Sequence, residues 1–146
     1  MIRRWASGKD GAIDVTVTGP LAATNVAAAA VKAGAALESA CKRKLRETAD
    51  LCRQEGLVFL PFVMETLGGL HSGAVSQVRQ ISAALARSKG LQESEVTGQM
   101  FGRLSLTLMR GNALMLSSRC QEDSLVPSRV DAVSYTHLRA HETIHY

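Results

Sequence analysis

Asp14 stands alone on the polar side of an alternating stretch, Ile13-Asp14-Val15-Thr16-Val17-Thr18, whose other side is Ile13, Val15 and Val17 and whose end is the Gly19-Pro20 break. A carboxylate displayed on a strand can hold a divalent ion, and metal-dependent phosphodiester cleavage needs such carboxylates to bind the ion that polarises phosphate and activates water. Two lysines, Lys42 and Lys44 in CKRKLRE (41–47), offer the cation that offsets charge developing on a phosphorane. Glu65 follows the apolar run of LVFLPFVMET (57–66), at a strand end, where open α/β sheets project side chains into a crevice. Together these residues suggest a nuclease half-site that lacks one metal carboxylate. Each also has a plain structural alternative. Asp14 can be a strand aspartate facing solvent, the lysines a solvated helix edge, and Glu65 a polar stop before the Leu67-Gly68-Gly69 turn.

The elements that would position these residues follow from apolar periodicity. Strict alternation over 13–18 predicts a half-buried strand. Ala22–Lys32 is Ala-rich and predicts a helix closed by Gly34, and Ala35–Gln54 predicts a second, with Leu37, Cys41, Leu45, Ala49 and Cys52 on one stripe and Gly56 as its stop. Leu57–Met64 is apolar at every position and predicts a central strand covered on both sides, although Pro61 argues that one edge is unpaired or bulged. Helices are expected over about Ser72–Ser88, with Val75, Val78, Ile81 and Leu85 inward, and about Glu93–Ser117, with Val96, Met100, Leu104 and Leu108 inward. Strand, helices, strand, helices is an α/β order. The domain reading is a partial α/β core over 1–70, a helical part of the same domain over 71–117, and a disordered tail over 118–146.

The 146 residues allow one small domain, and 4% aromatic content leaves few bulky side chains for its core. The net charge of +4, with 14 Lys/Arg against 9 Asp/Glu in residues 1–117, permits a DNA or RNA partner. Cys41 and Cys52 are too far apart along one helix face, roughly 16 Å, to form a disulfide. No CxxC or Cys/His cluster occurs, so they are expected to be small core residues in a reducing compartment. The basic start MIRRW has no apolar run behind it, and no segment approaches bilayer length, so no membrane partner and an intracellular location are expected. No phosphate-binding glycine loop or nucleophile elbow is present.

His141-Glu142-Thr143-Ile144-His145 matches H-E-x-x-H, which on a helix sets two imidazoles on one face for zinc. Catalytic zinc also needs a third protein ligand and a walled cleft; His137 offers at best an adventitious tail site. AVSYTHLRAHET (132–143) resembles the peptide read from a translated sequencing adapter, and residues 132–146 are read as that artefact.

The combined frame, GKDGAIDVTVTGPL, then KRKLRETADLCRQEGLVFLPFVMETLGGL, then QVRQISAALARSKG, resembles the C-terminal region of LINE-type retrotransposon reverse transcriptases over about 9–117. The resemblance implies a restriction-endonuclease-like domain of the PD…D…K superfamily, which nicks target DNA with Mg²⁺ so that reverse transcription can be primed. It implies Asp14 as the second acidic metal ligand and Lys44, or else Lys42, as the displaced catalytic lysine, with Glu65 as a further carboxylate. Departures are visible. The family's Pro-Asp pair should lie a dozen or more residues before Asp14, yet Met1–Ile13 holds none and Asp10 is too close; position 16 is Thr where a D-x-K step would carry Lys. Polymerase motifs and zinc knuckles are missing as well. The expectation is a truncated retroelement protein whose intact form nicks DNA in the nucleus, the chain alone being inactive with Mg²⁺ bound weakly or not at all. The alternative is a non-catalytic nucleic-acid-binding remnant in which the basic helix 41–53 meets phosphates.

Overall fold

The N-terminal hairpin is set by two residues. Ser7 and Gly8 both take positive φ, 52° and 76°, the requirement of a two-residue type I′ turn. They join β1 (Ile2–Ala6) to β2 (Lys9–Thr18), which pair antiparallel with Ala6 opposite Lys9 and Ile2 opposite Gly11. The register shifts between those pairs, where Arg4 has φ 51° and its backbone N–H donates to Asp10 Oδ1 at 2.9 Å. The computed structural model describes residues 1–122. The H-E-x-x-H pattern, His137 and the adapter-like peptide lie outside the described residues.

After β2 the chain crosses through α1 (Val26–Val31) and α2 (Ala35–Gln54) to β3 (Val58–Glu65), which pairs parallel with β2 from Gly11–Val58 to Thr18–Glu65. A parallel pair requires such a crossover. α1 is shorter than the Ala-rich run predicts: residues 20–25 form turns, and Asn25 Nδ2 donates to Gly19 O at 2.8 Å, tying the helix start to the end of β2. α2 has its predicted bounds. Gly56, at φ 71°, stops it, and the Gly56 and Leu57 N–H groups bond back to Arg53 O and Cys52 O, satisfying carbonyls the helix end would leave open.

The sheet order among the described residues is β1-β2-β3, so β3 is an edge strand rather than the predicted central one. Its apolar run is explained by cover on both faces, and its edge is managed. Pro61 offers no N–H there, Gln77 Nε2 donates to Pro61 O at 3.2 Å, and the chain turns at Glu65–Gly68 so that His71 N–H reaches Val63 O and Glu65 N–H reaches Gly69 O. β1 was not expected; its five residues include two arginines and show no clean alternation.

On one face of the sheet Val63 is buried with Leu37, Ala40 and Cys41 of α2. Leu45, on the predicted stripe of α2, is 43% exposed, because the buried stripe runs through Ala36, Leu37, Ala40, Cys41 and Cys52. On the other face Phe62 and Met64 meet Ala74 and Val78 of α3 (Ser72–Lys89) and Met100, Leu104 and Leu108 of α4 (Glu93–Glu122). α3 is rotated from its predicted face: Ala74, Gln77, Val78, Ser82 and Ala86 are buried, while Val75, Ile81 and Leu85 flank them. Small residues there let α3 approach both the sheet and α4, where Ser82 Oγ donates to Met100 Sδ. α4 runs five residues into the segment read as tail. The result is a mixed α/β fold of three layers, and no described helix is long and apolar enough to cross a membrane.

Candidate functional site

Partners in a parallel register project to the same side of the sheet, so Asp14, Thr16 and Thr18 share the face of Pro61, Val63 and Glu65. Val63 packs on α2, and Asp14 therefore faces α2. Along that helix Lys44 lies one turn beyond Ala40 and Cys41, the two residues seated on the sheet. Its stem carries the ammonium to the strand, and Lys44 Nζ stands 2.8 Å from Asp14 Oδ2. The side chains are 27% and 35% exposed. A pair this accessible contributes at most about 1 kcal/mol to stability.

The other two site candidates are elsewhere. Lys42 is rotated about 200° round the helix from Lys44 and is exposed. Glu65 lies opposite Thr18, four residues beyond the partner of Asp14, which is about 13 Å along the strand. Its carboxylate folds over its own turn, so that a Cβ on Gly69 would come within 2.7 Å of Glu65 Oε2. The structure brings Asp14 and Lys44 together and leaves Lys42 and Glu65 outside their reach.

Among the described residues, Asp14 is the one carboxylate beside the Lys44 ammonium. One oxygen of the sole carboxylate at the site is engaged by an ammonium, and the described residues hold no group of three or more His, Cys, Asp or Glu side chains suited to an ion. Beside Asp14, on the same face of β2, Thr16 Oγ1 is buried with no hydrogen-bond partner. A residue two along a strand points the same way, so position 16 and the Lys44 ammonium address one patch.

Cys41 and Cys52 are buried and free, as expected of core residues. Desolvation by burial, with a smaller push from the Glu38 carboxylate, raises the Cys41 thiol above its ordinary value and keeps it protonated at neutral pH. His71 is a helix cap: its Nδ1 accepts from Gly73 N–H at 3.1 Å, while Nε2 stands 3.5 Å from Glu38 Oε1, linking α3 to α2.

Two grooves lie away from the pair. One, of about 650 Å³, is apolar and sits on the opposite sheet face against Val15, Val17, Leu104 and Met115; it extends the core and is remote from the polar chemistry. The other, of about 880 Å³, runs between β1 and α3 and is lined by Arg3, Arg4, Trp5, Gln80 and Arg87. Sequence reasoning missed this basic, aromatic groove because β1 itself was missed; the Ser7-Gly8 turn was the available signal. No family model matches the chain, and comparisons with curated proteins and with solved structures find no match either.

Proposed function

We propose that this chain is a piece of a retroelement endonuclease-like domain in which Asp14 and Lys44 occupy the acidic and the lysine positions of a phosphodiester-cleaving site, and that it does not cleave DNA alone. The observation that carries this reading is the 2.8 Å contact between Lys44 Nζ and Asp14 Oδ2. It delivers a helix-borne ammonium to the strand face where a D-x-K lysine at position 16 would have pointed. In that role Asp14 orients the ammonium, and Lys44 offsets negative charge developing on phosphate. A magnesium site belongs to the longer parent protein, where another carboxylate would join Asp14.

Nicking of supercoiled plasmid in Mg²⁺ tests it. The chain alone is expected to be inactive, and a longer reading frame supplying an upstream acidic residue is expected to nick. In that longer protein Lys44→Ala should lower the rate about a hundredfold or more, the loss seen when one charge-stabilising donor is removed, and Asp14→Ala should abolish it. Unchanged nicking in either variant sinks the site assignment.

The groove between β1 and α3 favours a second reading, nucleic-acid binding without catalysis. Arg3, Arg4 and Arg87 are suited to backbone phosphates, and Trp5 to stacking on a base. Binding of a single-stranded oligonucleotide is then expected to weaken steeply with salt and to ignore EDTA, with Arg3→Ala and Arg87→Ala each reducing the salt slope by about 0.7. Trp5 is the single tryptophan and reports binding directly. If those variants bind normally while Lys42→Ala and Arg46→Ala bind poorly, the contact is the basic helix α2 instead.

A further inference from the structure

The sheet has two open sides, and the fold closes only one of them. The outer side of β3 is met by Pro61, Gln77 and residues 69–71. On β2 the pairing with β1 goes no further than Gly11, opposite Ile2, so residues 12–18 have β3 alone as a neighbour. One bond fixes where their backbone groups point. Thr66 N–H donates to Thr18 O at 2.9 Å, on the β3 side, and successive residues of a strand present their N–H and C=O to opposite sides. Asp14, Thr16 and Thr18 are thus bonded toward β3, whereas Ile13, Val15 and Val17 present three N–H and three C=O groups outward. Among the described residues these six groups have no hydrogen-bond partner. Gly19 O, the next in the outward series, is held by Asn25 Nδ2. Residues 12–18 carry no Lys, Pro or register shift to blunt the edge, and Val15 and Val17 are 62% and 49% exposed beside it.

We propose that this edge pairs with the same edge of a second copy of the chain, antiparallel about a two-fold axis at Val15. An open strand edge sets the chemistry of its occupant, an extended backbone, and the two faces of the sheet set its pattern. Side chains must be apolar toward the groove of Val15, Val17, Leu108 and Met115, and polar toward α2. The run Ile13-Asp14-Val15-Thr16-Val17 has that alternation itself. Register decides further. With Val15 opposite Val15 of the second copy, Ile13 lies opposite Val17, and the three facing pairs exchange two bonds each, which uses every outward group of both copies. Asp14 then lies opposite Thr16, and no charge meets its like. A slip of two residues one way opposes Asp14 to Asp14. The same slip the other way opposes Ile13 to Gly19, whose carbonyl Asn25 holds. A slip of one turns apolar side chains against polar ones. The ladder ends at Ile13, before Gly11, so β1 keeps its place. The contact is the same patch on both copies and closes as a dimer.

Sedimentation and amide hydrogen exchange of the full chain, each over a concentration series, test the pairing. The expected result is a reversible dimer whose formation slows exchange of the Ile13, Val15 and Val17 N–H groups at least about tenfold. The Asp14 and Thr16 N–H groups, bonded to β3, should be protected at every concentration. Val15→Lys sets two ammoniums against each other at the axis, and Val15→Glu two carboxylates. Each variant alone should associate at least about tenfold more weakly, and an equimolar mixture of the two should recover the dimer. Both should keep the melt of the dilute parent, because Val15 is exposed in the single chain. The exchange measurement needs no variant and decides by itself. A chain that stays monomeric, or a dimer that leaves those three amides unprotected, overturns the proposal. So does a mixture that associates no better than either variant alone.

Discussion

Val78→Asp is expected to abolish cooperative unfolding altogether. Val78 is 1% exposed, beside Ala74 on the face of α3 pressed against Phe62 and Met64. The substitution removes apolar burial worth roughly 1.5 kcal/mol and installs a carboxylate among apolar side chains. A buried charge without a partner costs on the order of 3–5 kcal/mol, or its proton is retained at a comparable cost. The sum approaches the whole stability of a typical small domain, about 5–15 kcal/mol. Val78→Ala is the control. It loses two methyl groups and opens a small cavity, about 2 kcal/mol, and should melt cooperatively at a lower midpoint. Urea titration followed by circular dichroism separates the two, and a Val78→Asp protein that melts like the parent would mean that α3 does not pack on β3 as described.

Gly11→Val is expected to cost about 3 kcal/mol or more by overpacking. Gly11 is buried in β2, the middle strand, opposite Ile2 on one side and Val58 on the other. A Cβ there would stand 2.7 Å from Leu60 Cδ1, 3.0 Å from Trp5 Cβ and 3.1 Å from Trp5 Cγ. Leu60 can swing its terminal methyl aside. Trp5 cannot, because its Cβ is fixed to the backbone of β1. Valine adds two more carbons at the same place, so β1 must lift away or the sheet must open. A red shift and rise in quenching of Trp5 fluorescence, together with a lowered melting midpoint, would report the lifting; an unchanged spectrum would show that Trp5 does not lie over Gly11. Gly11→Ala should give the same effects in weaker form.

Helix α2 was legible in the sequence because every signal agreed: an apolar stripe, Gly34 before it and Gly56 after it. The parallel strands were legible as strands, and Pro61 signalled the unpaired edge of β3, but the apolar run argued for a central place, since it reports cover on two faces and says nothing about who pairs along its sides. The cover comes from Gln77 and from residues 69–71, a long way from what a local pattern can show. The rotation of α3 escaped because periodicity favours large side chains, whereas the closest helix–sheet approach selected Ala74, Ser82 and Ala86. β1 escaped because five residues with two arginines carry no usable alternation.

At the site, Asp14 and Lys44 were each legible as residue types, and their meeting was not. The spacing agrees with placing Lys44 ahead of Lys42: Lys44 lies seven residues from Leu37 and three from Cys41, in line with the buried side, whereas Lys42 falls off that stripe. That it is Asp14 which Lys44 meets depends on the register of a crossover, with Asp14 opposite Pro61 and Val63 beneath α2. The retroelement resemblance supplied roles for both residues, and those roles remain the proposal that plasmid nicking addresses.

The parallel pairing of β2 with β3 also governs how the chain must reach its fold. Gly11 pairs with Val58, 47 positions later, so β2 waits through both crossover helices before its parallel partner exists. The β1–β2 hairpin can close early, but a two-stranded hairpin in water is marginal, and Val15 and Val17 stay open on it. Helix α2 can form locally within about a microsecond, yet its buried stripe has no sheet to rest on until β3 emerges. The loop-closure entropy falls on this one docking event, which is therefore expected to be the slow step of refolding, checked by whether a destabilising change in β3 slows refolding more than one in β1. During that interval the open edge and valines of β2 are available to other chains, so aggregation competes with folding at the moment the crossover closes.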